Sequence, residues 1–197
     1  MYNSSIKGQS TDKKFDRHIE IAGKVFFNDM SKNYMCEAFK TCDVVFSEIS
    51  WAYGYSRFNS KAGNEPNSYN DYLTNINRMI EELEVPAFII CGKPAAKHFP
   101  FAKAYPITIN TSGTSMSGCQ VYVWNFDYDS LGITSTDELT SYLAEHYEKC
   151  LDPSCGYGEH LLKFRDFVGC DINRDSLTYL SILTDARGKI NGNNGNI

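Results

Sequence analysis

The residues best suited to chemistry lie between Leu151 and Asp171, in the run LDPSCGYGEHLLKFRDFVGCD. An apolar segment enters a tight turn that contains Gly156 and Gly158, a helix-like stretch follows, and a second apolar segment ends at Asp171. Glycines let a backbone approach a ligand closely, and in open α/β sheets the ligand crevice lies at the carboxyl ends of the strands. A carboxylate at the next strand end can accept hydrogen bonds from both hydroxyls of a ribose. The spacing predicts a nucleotide-binding turn, and the alternative is an ordinary βα turn with an exposed Asp171.

The same run resembles the first motif of the amino-group DNA methyltransferases, commonly written DPFCGSGT. The resemblance implies S-adenosylmethionine, rather than NAD, as the cofactor. It matches Asp171 to the ribose-binding acid of that family, while Tyr157 and Glu159 stand where the family has small residues. The cofactor-binding residues that the resemblance implies in this run are Asp152, Pro153, Ser154, Cys155, Gly156, Gly158 and Asp171.

The order of the motifs resembles the β group of adenine-N6 or cytosine-N4 methyltransferases, in which the catalytic region precedes the cofactor loop. The segment Val25–Asp29 is similar to the strand that comes before the catalytic strand in that family, and Asp29 is the cofactor-side residue implied there. The segment Cys42–Phe46 (CDVVF) resembles the strand that leads into the family's Asp-Pro-Pro-Tyr/Trp motif. The resemblance covers residues 20–185 and implies a Rossmann-like methyltransferase sheet with a circularly permuted motif order.

The catalytic motif itself is altered, because the chain reads Ser-Glu-Ile-Ser-Trp where the family has Asp-Pro-Pro-Trp. In the family motif the acid and a proline carbonyl accept hydrogen bonds from the target amine, and proline fixes the backbone that aims them. The resemblance implies catalytic roles for Glu48, Ser50 and Trp51, and a target-binding surface formed by Trp51, Tyr53 and Tyr55, on which a flipped base would stack. A buried core aromatic is the alternative for Trp51. Either these residues form a working amine site, or the site is inactive and the fold survives as a binding unit.

Alternating apolar runs and helix-like stretches predict an α/β fold whose sheet is mostly parallel with one antiparallel hairpin. The hairpin is predicted from the segments Pro106–Asn110 and Gln120–Phe126 around a Ser/Gly/Thr turn. The strand at Leu151 is expected at the sheet centre beside Asp43–Phe46, since the permuted order brings the two together.

Four helices are predicted around this sheet. Apolar residues recur at helical spacing over Tyr69–Glu84, and Pro86 ends that pattern. A second helix is expected over Ser135–Tyr147 with Thr136 as its N-cap, and a third opens after the glycine turn over Glu159–Phe164. A last helix is predicted over Ser176–Leu183.

The chain has 197 residues and 42% hydrophobic residues, which fits one domain with a substantial core. We expect a flexible arm over residues 1–19, the methyltransferase-like domain over 20–187 and a disordered Gly/Asn-rich tail over 188–197. The seven cysteines lack zinc-knuckle spacing and are predicted to be buried free thiols of a reducing compartment. No segment has the length of a membrane span, so a cytoplasmic protein is expected. The histidines His98, His146 and His160 are scattered, so we expect them to be structural or surface residues and expect no metal site.

These patterns predict an S-adenosylmethionine-dependent methyltransferase that acts on an exocyclic amino group of DNA, with adenine N6 as the favoured target. The first alternative is a catalytically inactive, methyltransferase-like protein that binds the cofactor or a catalytic partner. The second is methylation of RNA or of a protein amide. The net charge of −5 supplies no overall basic field for nucleic acid, so DNA or RNA would be recognised by a local patch or with a partner subunit, for which a homodimer is one option.

Overall fold

The computed structural model describes residues 25–49, 68–111 and 114–193. Within these ranges seven strands form one sheet, in the order β1-β7-β6-β2-β3-β5-β4. The strands are β1 (Val25–Phe27), β2 (Val44–Glu48), β3 (Ala87–Gly92), β4 (Lys103–Thr111), β5 (Thr114–Trp124), β6 (Lys149–Asp152) and β7 (Asp166–Asp171).

Three α-helices accompany the sheet in the described part of the chain. They are α1 (Ser68–Leu83), α2 (Thr136–His146) and α3 (Arg174–Asn193). Shorter 3₁₀ helices occupy Phe39–Thr41, Lys93–His98 and Glu159–Lys163. None of the helices in the described ranges combines the length and the apolar content that crossing a membrane requires.

The sheet confirms the predicted α/β architecture. Strands β1, β7, β6, β2 and β3 pair in parallel, while β4 and β5 form an antiparallel hairpin that joins the sheet through β3. The hairpin lies where the sequence predicts it, with longer strands. Leu151 of β6 is paired with Val45 of β2, so the two strands lie side by side at the sheet centre as expected.

Buried side chains cover both faces of the sheet because successive residues of a strand point to opposite sides. On one face Val45 and Leu151 pack with the apolar stripe of α1, which includes Ile76 and Ile80. On the other face the neighbouring strand residues pack with α2 and α3. That second cluster includes Val44, Phe46, Phe88, Leu139, Leu143, Leu177 and Leu180. Strands buried on both faces read as continuous apolar runs, which is why β2 and β3 are recognisable in the sequence.

Between β6 and β2 the order in which the chain connects the strands reverses its direction along the sheet. The chain leaving β6 continues to β7 on one side, whereas the chain leaving β2 continues through α1 to β3 on the other side. In open α/β sheets a crevice forms outside the carboxyl ends of the two strands at such a point. Here those ends carry Asp152 on β6 and Glu48 on β2.

Local structure differs from the sequence predictions at two helix starts. Ser135, not Thr136, is the N-cap of α2: its hydroxyl accepts from the Glu138 amide, and Glu138 completes a capping box. Thr136 is instead buried as the first helical residue. The stretch after the glycine turn is only a five-residue 3₁₀ helix, Glu159–Lys163, because β7 begins at Asp166 and leaves no room for the costly first turns of an α-helix.

Helix α3 and the cysteines bear on two further predictions. Helix α3 continues to Asn193, so it includes the first part of the segment 188–197 for which disorder is expected. All seven cysteines are free, and six of them are buried, as predicted.

Candidate functional site

A cavity of about 480 Å³ opens at the carboxyl edge of the sheet, where the strand order reverses between β6 and β2. This volume lies in the range of about 300–1,000 Å³ that is usual for small-molecule sites. The cavity is lined by Asn28, Asp29, Met30, Glu48, Tyr72, Asp152, Pro153, Ser154, Cys155, Gly156, Tyr157, Gly158, Glu159, His160, Asp171, Ile172, Asn173 and Ser176.

The glycine turn after β6 requires both of its glycines, for different reasons. Gly156 and Gly158 have φ angles of +51° and +61°, a region that L-residues with side chains disfavour. A Cβ at Gly158 would also lie 2.5 Å from Cδ2 of Leu180 on α3, so this glycine allows the turn to pack against the helix. A Cβ at Gly156 would stand in open space, so this glycine leaves room on the cavity side.

Asp171, at the end of β7, holds the glycine turn through its carboxylate. Oδ2 accepts from the Gly156 amide at 2.8 Å, and Oδ1 accepts from the Asn173 amide at 2.8 Å. Each carboxylate oxygen can accept a second hydrogen bond, so both keep the capacity to bind a hydroxyl. Burial raises the pKa of this carboxyl, whereas the two backbone N–H groups oppose that rise.

Asp152, at the end of β6, is fully buried, and both of its carboxylate oxygens have protein partners. Its Oδ1 accepts from the Ser47 hydroxyl at 2.6 Å and from the Ser154 amide at 2.9 Å. Its Oδ2 lies 2.8 Å from Nε2 of His160. The carboxylate therefore ties β2, the glycine turn and the following 3₁₀ helix together beneath the cavity.

His160 is a site residue that sequence reasoning missed, since a scattered surface or structural histidine was expected. It lines the cavity, pairs with Asp152, and packs edge-on against Phe46 with ring centroids 5.0 Å apart. No local signal in the sequence separates it from His146, because its role depends on the fold of the turn. Within the described ranges no group of three His, Cys, Asp or Glu side chains could hold a metal ion.

Tyr72 of α1 is the second residue that sequence reasoning missed. Its position on the apolar face of the helix indicates a core residue, and it is indeed buried, but its hydroxyl lies 2.6 Å from Oγ of Ser154. Burial raises the pKa of this phenol well above its ordinary value, so the hydroxyl stays neutral. Tyr72 thus joins α1 to the glycine turn and closes one wall of the cavity.

Glu48, at the carboxyl end of β2, lies in the cavity wall as the sequence motif predicts. Burial is the main cause that raises the pKa of this carboxyl, and the nearby Asp152 charge adds to the rise. The His160 ring and a hydrogen bond from the Thr136 side chain act in the opposite direction. A partly buried acid with a raised pKa, in a cleft beside a histidine, is typical of functional carboxylates.

Of the remaining candidate residues, some line the cavity and others lie outside the described residues. Asp29 and Pro153 line the cavity, but the Asp29 carboxylate is occupied by Ser31 and by Lys32 at 3.3 Å. Cys155 lies at the cavity with its thiol buried in the direction of Gly169. Ser50, Trp51, Tyr53 and Tyr55, the other predicted catalytic and target-binding residues, lie outside the described residues.

The side chains at the cavity give it a strongly acidic character. Five acids contribute to its lining, and His160 is the one side chain of that lining in the described chain that can become cationic. The acids are Asp29, Glu48, Asp152, Glu159 and Asp171. Such a site favours a ligand that carries positive charge and has hydroxyl donors, and it disfavours phosphates.

The sequence matches no family model and no curated protein sequence. The structure is similar to solved structures of M1.HpyAVI, at 12% sequence identity and a TM-score of 0.47, with 82% of this chain and 98% of that chain covered. An M1.HpyAVI–SAM complex is similar at 10% identity and a TM-score of 0.48, over 81% of this chain and 98% of the other. TTHA0409 from Thermus thermophilus, described as a candidate DNA modification methylase, is similar at 10% identity and a TM-score of 0.47, over 83% and 94%.

These likenesses are distant in both sequence and superposition.

Proposed function

We propose that this chain binds S-adenosylmethionine in the cavity and transfers its methyl group to an exocyclic amino group of DNA, with adenine N6 as the favoured target. The observation that carries the proposal is the convergence of three features at one crevice. The glycine turn and Asp171 form one half of the cavity wall, and Glu48 at the end of β2 forms the other half.

The cavity fits this cofactor better than it fits a dinucleotide. Gly156 leaves open space beside the turn, and the Asp171 carboxylate keeps two acceptor positions for a ribose diol. Dinucleotide sites place a pyrophosphate at the N-terminus of an α-helix, whereas only a short 3₁₀ helix follows this turn. The acidic lining would repel a pyrophosphate but attract a sulfonium cation.

The strand order supports a permuted arrangement of a doubly wound sheet. Counted from β6 as the first strand, the strands β6, β7, β1, β2 and β3 lie in the order 3-2-1-4-5, as in the Rossmann arrangement. Along the chain, the strands numbered 3, 4 and 5 in that arrangement come before those numbered 1 and 2. This order supports the permuted motif order that the sequence resemblance implies.

In the proposed reaction the bound cofactor supplies an electrophilic methyl group. Asp171 holds the ribose end, and Glu48 accepts a hydrogen bond from the target amine, which positions the amine nitrogen for in-line attack. Burial raises the pKa of the Glu48 carboxyl, whereas the His160 ring and the Thr136 side chain oppose that rise and so favour its acceptor form.

The altered motif supports one alternative, a protein that binds the cofactor but does not turn over. Both prolines of the family motif are replaced, and glutamate is one methylene longer than aspartate. RNA or a protein amide as the methyl acceptor is a further alternative, since these targets present the same kind of amino group.

Two measurements on the full chain test the proposal. Calorimetry with S-adenosylmethionine and with S-adenosylhomocysteine should show binding at one site. Transfer of a labelled methyl group should then be detected on DNA, with RNA and a protein mixture assayed in parallel. Binding without transfer to any acceptor would favour the inactive alternative, and the absence of binding would remove the proposal.

Glu48→Ala tests the proposed amine-binding half of the cavity separately from the proposed cofactor-binding half. We expect transfer to fall by about 10²-fold or more, since one aligned acceptor is lost, while cofactor affinity stays nearly unchanged. Glu145→Ala, an exposed carboxylate on α2, is the matched control and should change neither quantity. Unchanged transfer in Glu48→Ala would exclude this residue as the amine's acceptor.

A further inference from the structure

Methyl transfer to an amine leaves a proton that must be accepted. The new N–C bond forms from the nitrogen lone pair, the S–C bond breaks with its electron pair left on sulfur, and the nitrogen then holds one proton more than the neutral product. This inference rests on the proposed function, because it concerns the fate of that proton in the same cavity.

We propose that His160, held by Asp152, is the catalytic base that takes the proton from the methylated amine. The pairing of Nε2 with Oδ2 of Asp152 at 2.8 Å fixes the ring at the cavity wall. The Asp152 side chain is almost fully buried, whereas the His160 side chain keeps 21% exposure, so the histidine is the member of the pair that a ligand can reach.

The partners of Asp152 determine which nitrogen of His160 is basic. The Asp152 carboxylate already accepts hydrogen bonds from the Ser47 hydroxyl and the Ser154 amide. As an ionised acceptor it also accepts from His160, so Nε2 of the histidine carries the hydrogen. Among the described residues His160 has no further hydrogen-bond partner, which leaves Nδ1 as the proton acceptor. A buried carboxylate behind an imidazole fixes the tautomer and stabilises the imidazolium that forms.

Charged groups lie on each element next to the ring. Glu48 lies on β2 and Asp152 on β6, while Glu159 precedes the ring on the 3₁₀ helix. At the far end of that helix Lys163 is paired with Asp137 of α2. Glu48 and His160 line the same cavity, so a target amine bound there can contact both residues.

The first test is spectroscopic and needs no turnover. In the unliganded protein, nitrogen NMR of the histidine side chains should show His160 as the Nε2–H tautomer with an unprotonated Nδ1 at alkaline pH. The opposite tautomer would overturn the proposal, because Asp152 would then have to hold the proton.

The second test uses His160→Gln, with His146→Gln as the matched control. His146 is exposed on α2 and stacks on Tyr142, away from the cavity. In His160→Gln we expect single-turnover transfer to fall by about 10²-fold, with cofactor affinity within a few-fold of wild type. The wild-type rate should rise with pH, since a protonated base cannot accept the proton, and this dependence should be absent in the variant.

Chemical rescue completes the test, since added imidazole should restore part of the rate to His160→Ala. A transfer rate and a pH dependence in His160→Gln that equal those of the wild type would overturn the base role alone. A loss of cofactor affinity or of folding that accounts for the whole rate loss would overturn it in favour of a structural role. A wild-type chain that binds cofactor but transfers no methyl group would overturn both this inference and the proposed enzyme.

Discussion

At the scale of single residues, the aspartates at the ends of β6 and β7 have different roles at the cavity. Asp152 is buried and has its acceptors occupied by protein donors, so it acts as a structural anchor. Asp171 binds two backbone amides but remains partly exposed to the cavity. The same side chain type therefore serves two purposes, and burial and partners decide between them.

Asp171→Ala should weaken binding of S-adenosylmethionine by one to two orders of magnitude, about 1.4–3 kcal/mol, since two charge-assisted hydrogen bonds would be lost. Calorimetric titration measures this change directly. Asp175→Ala, an exposed acid in the first turn of α3, is the control and should bind normally. Equal affinities for wild type and Asp171→Ala would show that the acid is not at the ribose.

The two glycines of the turn should respond differently to alanine. In Gly158→Ala the left-handed backbone and the contact with Leu180 both oppose the new methyl group, so we expect a loss of about 2 kcal/mol or more of unfolding free energy. In Gly156→Ala the methyl group meets open space, so the loss of stability should be smaller and cofactor binding should weaken instead. Denaturant unfolding and calorimetry on both variants give the comparison, and identical profiles would contradict it.

At the scale of elements, α2 positions residues of the site although it contributes no cavity lining. Its first residue, Thr136, hydrogen-bonds Glu48, and Asp137 binds Lys163 at the end of the 3₁₀ helix. The capping box at Ser135 fixes where this helix begins and therefore where Thr136 lies.

Ser135→Ala should cost about 1 kcal/mol of stability, because one amide at the helix start loses its acceptor. For a chain of this size that corresponds to a fall in Tm of about 2–4 °C. Ser135→Thr, which keeps a hydroxyl at the cap position, serves as the control. An equal Tm in the two variants would mean that the capping box does not stabilise α2.

Local patterns predicted the elements well and the long-range contacts poorly. The strand, glycine turn, strand and acid of residues 151–171 predicted residues that line one half of the cavity, because each part has a local signature. The Ser47–Asp152 and Tyr72–Ser154 hydrogen bonds join residues 105 and 82 positions apart, and no local pattern encodes such pairs. His160 lies only 8 positions from Asp152, yet their contact depends on the 3₁₀ geometry that the apolar spacing does not distinguish from an α-helix.

At the scale of the whole molecule, negative charge is concentrated at one end of the sheet. The chain carries a net charge of −5, and five acids line the cavity at the carboxyl edge. Holding like charges in a partly buried crevice destabilises the free protein, which is a common feature of sites prepared for a ligand.

Glu48→Gln should therefore raise the Tm of the ligand-free protein at neutral pH. Burial raises the pKa of Glu48 in the fold above its ordinary value of 4.5, so its protonated form is the one that favours folding. The stability it contributes is complete below pH 4.5 and is lost as pH rises through the folded-state pKa. The advantage of the variant should vanish near pH 4 and grow towards neutrality.

Thermal unfolding across this pH range measures the effect, with the exposed Glu145→Gln as the control. A variant advantage that is constant with pH would assign the gain to packing rather than to the charge.

The position of β6 also bears on how the chain is made. During synthesis β1, β2 and β3 leave the ribosome before β6 and β7. In the sheet, however, β6 lies between β2 and β7, and β1 pairs with β7. Until then the nascent chain carries an apolar strand, β2, with one open edge, and such edges invite association with other chains. The turn that contains Gly158 is completed later still, when Leu180 of α3 packs against it. Termination before α3 would therefore leave all seven described strands, but the glycine turn beside the cavity would lack the packing of Leu180.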